Sequence, residues 1–122
     1  MAEIERAMDG DDIVAVSIVG EFDLADEARM DLAIDFVVGL QIPNVLIDLS
    51  RCEFVDATGL RMLLRAQQRI ERANARLAVL SPLPRVRRVM DITGISGRLP
   101  MTDDRDGALA GLREFAARDG GG

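Results

Sequence analysis

The stretch that decides the fold runs from Val45-Leu46-Ile47-Asp48-Leu49 to Asp56-Ala57-Thr58-Gly59-Leu60. The first part is an almost unbroken apolar run of strand length, as expected of a central strand covered on both faces. After the second part, Leu60, Leu63, Leu64, Gln67 and Ile70 recur at helical spacing. The seam between them places Thr58 where a helix opens, with a carboxylate two residues before it and a glycine directly after it. From spacing alone the hydroxyl has two readings. It is either a helix cap or a group that another protein modifies.

Outward from this seam the chain alternates strands and helices. Ile4 to Met8 reads as a short edge strand. The Asp9-Gly10-Asp11-Asp12 turn joins it to the β-branched run Ile13 to Val19, stopped by Gly20. Asp23 or Asp26 caps a helix whose apolar positions Leu24, Ala28, Leu32, Phe36 and Leu40 lie along one side. Gly39 and Pro43 end it before a strand from Asn44 to Leu49. The Thr58 helix runs to about Ala73, and Arg76 to Leu80 is a further strand. Ser81-Pro82-Leu83-Pro84, a hydroxyl cap followed by proline in the first turn, opens a helix with Val86, Val89 and Met90 inward and Gly94 as its stop.

An extended piece around Arg98 to Met101 precedes a last helix from near Asp103, striped by Ala108, Leu109, Leu112, Phe115 and Ala116. Residues 1–119 form one domain, and Gly120 to Gly122 read as a disordered tail. This order implies an α/β fold: a mixed, mostly parallel sheet of four to five strands with flanking helices, beginning with an antiparallel hairpin.

The 122 residues suffice for one core, and with aromatic residues at 3% that core is aliphatic. No apolar run is long enough to span a bilayer, and the N-terminus lacks the pattern of a signal peptide, so a cytoplasmic location is expected. The single cysteine, Cys52, reads as a small buried hydrophobe. There is no histidine and all 15 basic residues are Arg. This removes His-dependent nucleophile systems, the lysine of a phosphate-binding loop and His- or multi-Cys zinc sites. An autonomous enzyme is therefore not expected, nor is a cofactor. A net charge of −6 argues against a general nucleic-acid binder.

The segments Val19-Gly20-Glu21-Phe22-Asp23-Leu24, Ile47-Asp48-Leu49-Ser50, Phe54-Val55-Asp56-Ala57-Thr58-Gly59-Leu60 and Leu80-Ser81-Pro82 with Val86 and Gly94 resemble, in order and spacing, a STAS domain of the bacterial anti-sigma factor antagonist type. The likeness covers about residues 4 to 117. It implies that the hydroxyl before the glycine, Thr58, is phosphorylated by an anti-sigma factor that is also a serine/threonine kinase. The unphosphorylated antagonist would bind that kinase and free a sigma factor, and a phosphatase would reset it. Ala57 stands where many antagonists carry a second serine. The alternative is a STAS subunit of an ABC-type lipid-transport complex, docking its ATPase through the same face. A nucleotide-binding or phosphotransfer protein is disfavoured by the missing lysine and phosphate loop.

The resemblance puts Asp23 close to Thr58, as partner contact, hydroxyl orienter or simple helix cap. Asp56 shapes the turn and adds negative charge. Arg61, Arg65, Arg69 and Arg72 line one face of the helix, as a solvated face or as a docking ridge beginning beside Thr58. The candidate partner face is thus Asp23, Asp56, Ala57, Gly59, Leu60, Arg61 and Arg65, with no metal site. No exposed apolar stripe announces a dimer, and the oligomeric state stays open.

Overall fold

A computed structural model describes residues 1–81 and 83–114 in full, and from Phe115 only the helical backbone as far as Gly121. The expectations for Pro82, for Phe115 and Ala116, and for a 120–122 tail lie outside the fully described residues. Six strands form one sheet: β1 (Ala2–Asp9), β2 (Ile13–Phe22), β3 (Asn44–Asp48), β4 (Cys52–Val55), β5 (Arg76–Leu80) and β6 (Met101–Thr102). Among the described residues four α-helices accompany them: α1 (Glu27–Gly39), α2 (Ala57–Arg72), α3 (Pro84–Ile92) and α4 (Arg105–Gly121).

The sheet order is β1-β2-β3-β5-β6, with β4 paired to β2. Among the described residues β1–β2 is the antiparallel pairing and β2–β3, β2–β4, β3–β5 and β5–β6 are parallel. Strand alternation divides the core into two layers. Val14, Val16 and Ile18 of β2, Val45 and Ile47 of β3, and Leu77 and Val79 of β5 face one way. They pack with Met30, Ile34 and Val37 of α1, Leu60, Leu63 and Ile70 of α2, and Val86 and Met90 of α3. Ile13, Ala15, Leu46 and Leu80 face the other way, under Ala108, Leu109 and Leu112 of α4. Arg113 ties α4 to the β1–β2 turn through Asp9 (2.7 Å) and Asp12 (3.1 Å), and this guanidinium holds the Asp12 carboxyl below the usual carboxylate range.

The α/β class and the hairpin start hold, and several expectations are corrected. Strand β2 does not stop at Gly20. It passes through that residue with a positive φ and a register shift, then continues to Phe22, a bulge at which glycine carries the twist. Its extension pairs with β4, a strand the sequence reading leaves as loop, so the sheet has six strands rather than four to five.

The predicted α1 stripe is also reversed. Leu24, Leu32, Phe36 and Leu40 are 64%, 67%, 51% and 40% exposed, while Met30, Ala33, Ile34 and Val37 are buried. Helix α1 is apolar around most of its circumference, so periodicity alone does not say which side turns inward. An exposed apolar stripe therefore does exist, with Phe36 beneath the Arg6 guanidinium, 3.8 Å from ring centroid to cation. Ser81 is buried and, among the described residues, its hydroxyl has no hydrogen-bond partner, so it does not cap α3. Leu83 holds the cap position without a side-chain bond, and Pro84 sits in the first turn. Val89 lies at the surface beside buried Val86 and Met90.

Candidate functional site

Two chain segments meet at the start of α2. The carbonyl of Phe22, at the end of β2, accepts the N–H of Asp56 at 3.4 Å, and Val55, the last residue of β4, pairs with Phe22. Thr58 therefore sits beyond the carboxyl ends of β2 and β4, not on a loop directly after β3. The β3–β4 connection is closed by Asp48, whose Oδ1 accepts the N–H of Ser50 at 2.8 Å, while its Oδ2 pairs with Arg105 at 2.7 Å.

Asp56 is the cap of α2. Its backbone is extended, and Oδ1 accepts the N–H of Gly59 at 2.8 Å. A carboxylate here satisfies one of the orphan donors of the first turn and complements the positive end of the helix dipole. Thr58 thus lies inside the first turn and does not cap it. Its hydroxyl is half-buried and accepts from Nη2 of Arg61 at 3.3 Å. Between cap and hydroxyl, Ala57 is exposed.

Gly59 is required by space. A Cβ at this position would lie 2.7 Å from both the Phe22 carbonyl oxygen and Val55 Cγ2. The first turn of α2 can approach the β2–β4 end only because that atom is missing. Leu60 is buried in the core and anchors the turn from below, so it supports the site without offering a surface.

Asp23 resolves as a cap. Its Oδ1 accepts the N–H of Ala25 at 3.0 Å, and Asp26 Oδ2 accepts the Asp23 N–H at 3.0 Å, a reciprocal capping box on the 3-10 turn Leu24–Asp26 that leads into α1. The Asp23 carboxylate also receives the N-terminal ammonium at 3.4 Å. Asp26 is fully buried, accepts the Ala2 N–H at 2.9 Å and pairs with Arg29. This arrangement fixes the loop that carries Asp23 beside the start of α2.

The arginine row divides. Arg65 pairs with Glu27 (3.6 Å) and Asp31 (3.2 Å), and Arg69 pairs with Asp31 (3.8 Å) and with Asp35. These two stitch α2 to α1. Among the described residues Arg61 has no carboxylate partner, and its contact is Thr58. The sequence reading did not single out Phe54, which is 52% exposed on β4 two residues before Asp56. An apolar aromatic at the outer edge of a short strand is the signal that could have found it. Cys52 is buried, and burial pushes its thiol up, which disfavours the reactive thiolate. Among the described residues no group of acidic or cysteine side chains is placed to hold a metal ion, and no helix is long and apolar enough to cross a membrane.

Chemically, the site offers a secondary hydroxyl held by a guanidinium on a fixed helix start, with the nearby carboxylate already engaged. The sequence matches the STAS domain family over residues 7–108. It is 29% identical over 105 residues to the anti-sigma-F factor antagonist RsfB of Mycobacterium tuberculosis, covering 86% of this chain and 85% of that protein. It is 26% identical over 102 residues to an anti-sigma F factor antagonist of Paenibacillus polymyxa, covering 82% and 86%. The fold is similar to the crystal structure of an anti-sigma factor antagonist from Mycobacterium paratuberculosis, with a TM-score of 0.73, 28% identity and 93% of each chain covered.

Proposed function

The chain belongs to the STAS domain family, and from that premise we propose that it is an anti-sigma factor antagonist switched at Thr58. In this reading it is a non-enzymatic regulator of the cytoplasm. Unphosphorylated, it binds an anti-sigma factor that is also a serine/threonine kinase, and so releases a sigma factor. The single observation that carries the reading is the division of labour at α2. Asp56 caps the helix, which leaves the Thr58 hydroxyl free of any structural duty there.

Phosphorylation would form a bond between Thr58 Oγ1 and the γ-phosphorus of ATP as the bond to the ADP oxygen breaks. ADP leaves, and the hydroxyl proton passes to a base of the kinase. The product gains about −1.5 to −2 charges at a helix start, where the dipole tolerates them. The fold is kept while the docking face becomes strongly negative. A phosphatase would return the site by hydrolysis of the same bond.

The face that would dock is Thr58 with Ala57, Asp56 and Arg61, flanked by Asp23 on the β2 side. Gly59 and Leu60 set its shape from within. Arg65, with its carboxylate partners on α1, would stand at its rim. The test is binding of Thr58→Glu to the cognate ATP-binding anti-sigma factor. At least a tenfold loss is expected, equivalent to about 1.4 kcal/mol, with an unchanged circular dichroism spectrum. Equal affinity for Thr58→Glu and wild type would dismiss the switch.

A further inference from the structure

We propose that Arg61 is a phosphate receptor built into the chain: it folds onto the phosphoryl group of modified Thr58 and is thereby withdrawn from the docking face. This inference rests on the reading of Thr58 as the phosphorylated residue. Three observations carry it. Nη2 of Arg61 already lies 3.3 Å from Thr58 Oγ1, the atom to which the phosphorus would be joined. Arg61 is exposed and, among the described residues, has no carboxylate to surrender, whereas Arg65 and Arg69 further along α2 are held by Glu27, Asp31 and Asp35. A residue three positions on lies one turn above on the same helix face, so no backbone movement is needed to reach the ester oxygens.

A guanidinium presents a planar fork that matches two phosphate oxygens, a stronger arrangement than its present contact with a neutral hydroxyl. The Arg61 side chain also reaches back over the opening turn of α2, where a cation opposes the helix dipole. That unfavourable placement becomes useful once a dianion is attached next to it. The modification would then act twice on a partner. It adds negative charge at Thr58 and removes the positive charge that Arg61 offers in the unmodified state.

The charged groups at the phosphate are Arg61 from α2 and Asp56 at the cap, while the Asp23 carboxylate, on the segment that follows β2, is engaged by the Ala25 N–H and the N-terminal ammonium. The Asp56 carboxylate raises the second ionisation of the phosphate, and Arg61 lowers it by favouring the dianion. The experiment uses the full chain with phosphothreonine installed at position 58 by genetic-code expansion, so it does not depend on finding the kinase. The phosphorus-31 resonance is followed through a pH titration in wild type, Arg61→Gln, Arg61→Lys and Arg65→Gln.

Arg61→Gln is expected to raise the titration midpoint by roughly half a pH unit or more, a shift that shrinks in 1 M salt. Arg61→Lys is expected to restore most of the shift. Arg65→Gln is expected to leave the midpoint within about 0.2 units, because that charge is already paired with α1. Coincident midpoints for wild type and Arg61→Gln, with native circular dichroism, would overturn the proposal. So would an equal shift from Arg65→Gln, which would mark a diffuse field instead of a specific contact. Failure of a kinase to label Thr58 would count against the switch and leave this titration to decide the role of Arg61 by itself.

Discussion

Removing the Asp56 carboxylate should cost stability, and removing the Thr58 hydroxyl should not. Asp56→Ala deletes the 2.8 Å bond that the Gly59 N–H donates to Asp56 Oδ1. Loss of an N-cap costs about 1 kcal/mol, and loss of a negative charge at the helix start adds roughly 0.3–1 kcal/mol. Thr58→Ala deletes a 3.3 Å contact between a half-buried hydroxyl and an exposed Arg61, which falls within the roughly 0.5 kcal/mol range of ordinary surface changes. For 122 residues the unfolding entropy is about 0.25 kcal/mol/K. Asp56→Ala should therefore lower Tm by about 5–8 °C, and Thr58→Ala by less than ~2 °C. Calorimetry, together with urea unfolding at unchanged m, reads both values. Asp56→Asn, which keeps a capping oxygen without the charge, should fall between them. A Thr58→Ala loss as large as that of Asp56→Ala would mean that the hydroxyl holds the helix, and the reason for assigning it to regulation would be gone.

Two further outcomes test how the site is supported. Gly59→Ala should destabilise by about 1–3 kcal/mol, because the new Cβ meets the Phe22 carbonyl and Val55 at 2.7 Å; a neutral effect in chemical denaturation would show that the two ends are not packed this closely. Leu32→Ser, on the outward stripe of α1, should change stability by no more than ~0.5 kcal/mol. Ile34→Ala, on its buried side, should cost about 2–5 kcal/mol. The reverse ranking in urea unfolding would restore the sequence-based orientation of this helix.

Where the sequence was legible, a single periodic signal dominated. Arg76–Leu80 matches β5 residue for residue, and the α2 pattern places Leu60, Leu63 and Ile70 in the core. Helix α1 defeated the same logic because two adjacent faces carry apolar residues, and only the position of the sheet selects Met30, Ala33, Ile34 and Val37. Strand β4 was invisible for a different reason. It is four residues long, carries Glu53 and the outward Phe54, and exists by pairing with the end of β2 beyond the Gly20 bulge.

The site divides in the same way. The Asp56–Gly59 and Thr58–Arg61 contacts span three residues of one helix and follow from local geometry. Arg65 and Arg69 find their partners on another helix, so no local spacing separates them from Arg61. The cap role of Asp23 depends on Asp26, whose carboxylate is fixed by the Ala2 amide from the far end of the hairpin.

Incubation of the full chain with ATP and a candidate anti-sigma kinase, followed by mass-spectrometric mapping, tests the proposed switch most directly. One phosphoryl group on Thr58, absent from Thr58→Ala and removed by the phosphatase, is the expected result. Label on any other residue, or none from a kinase shown to be active on a second substrate, would contradict Thr58 as the switch of this domain.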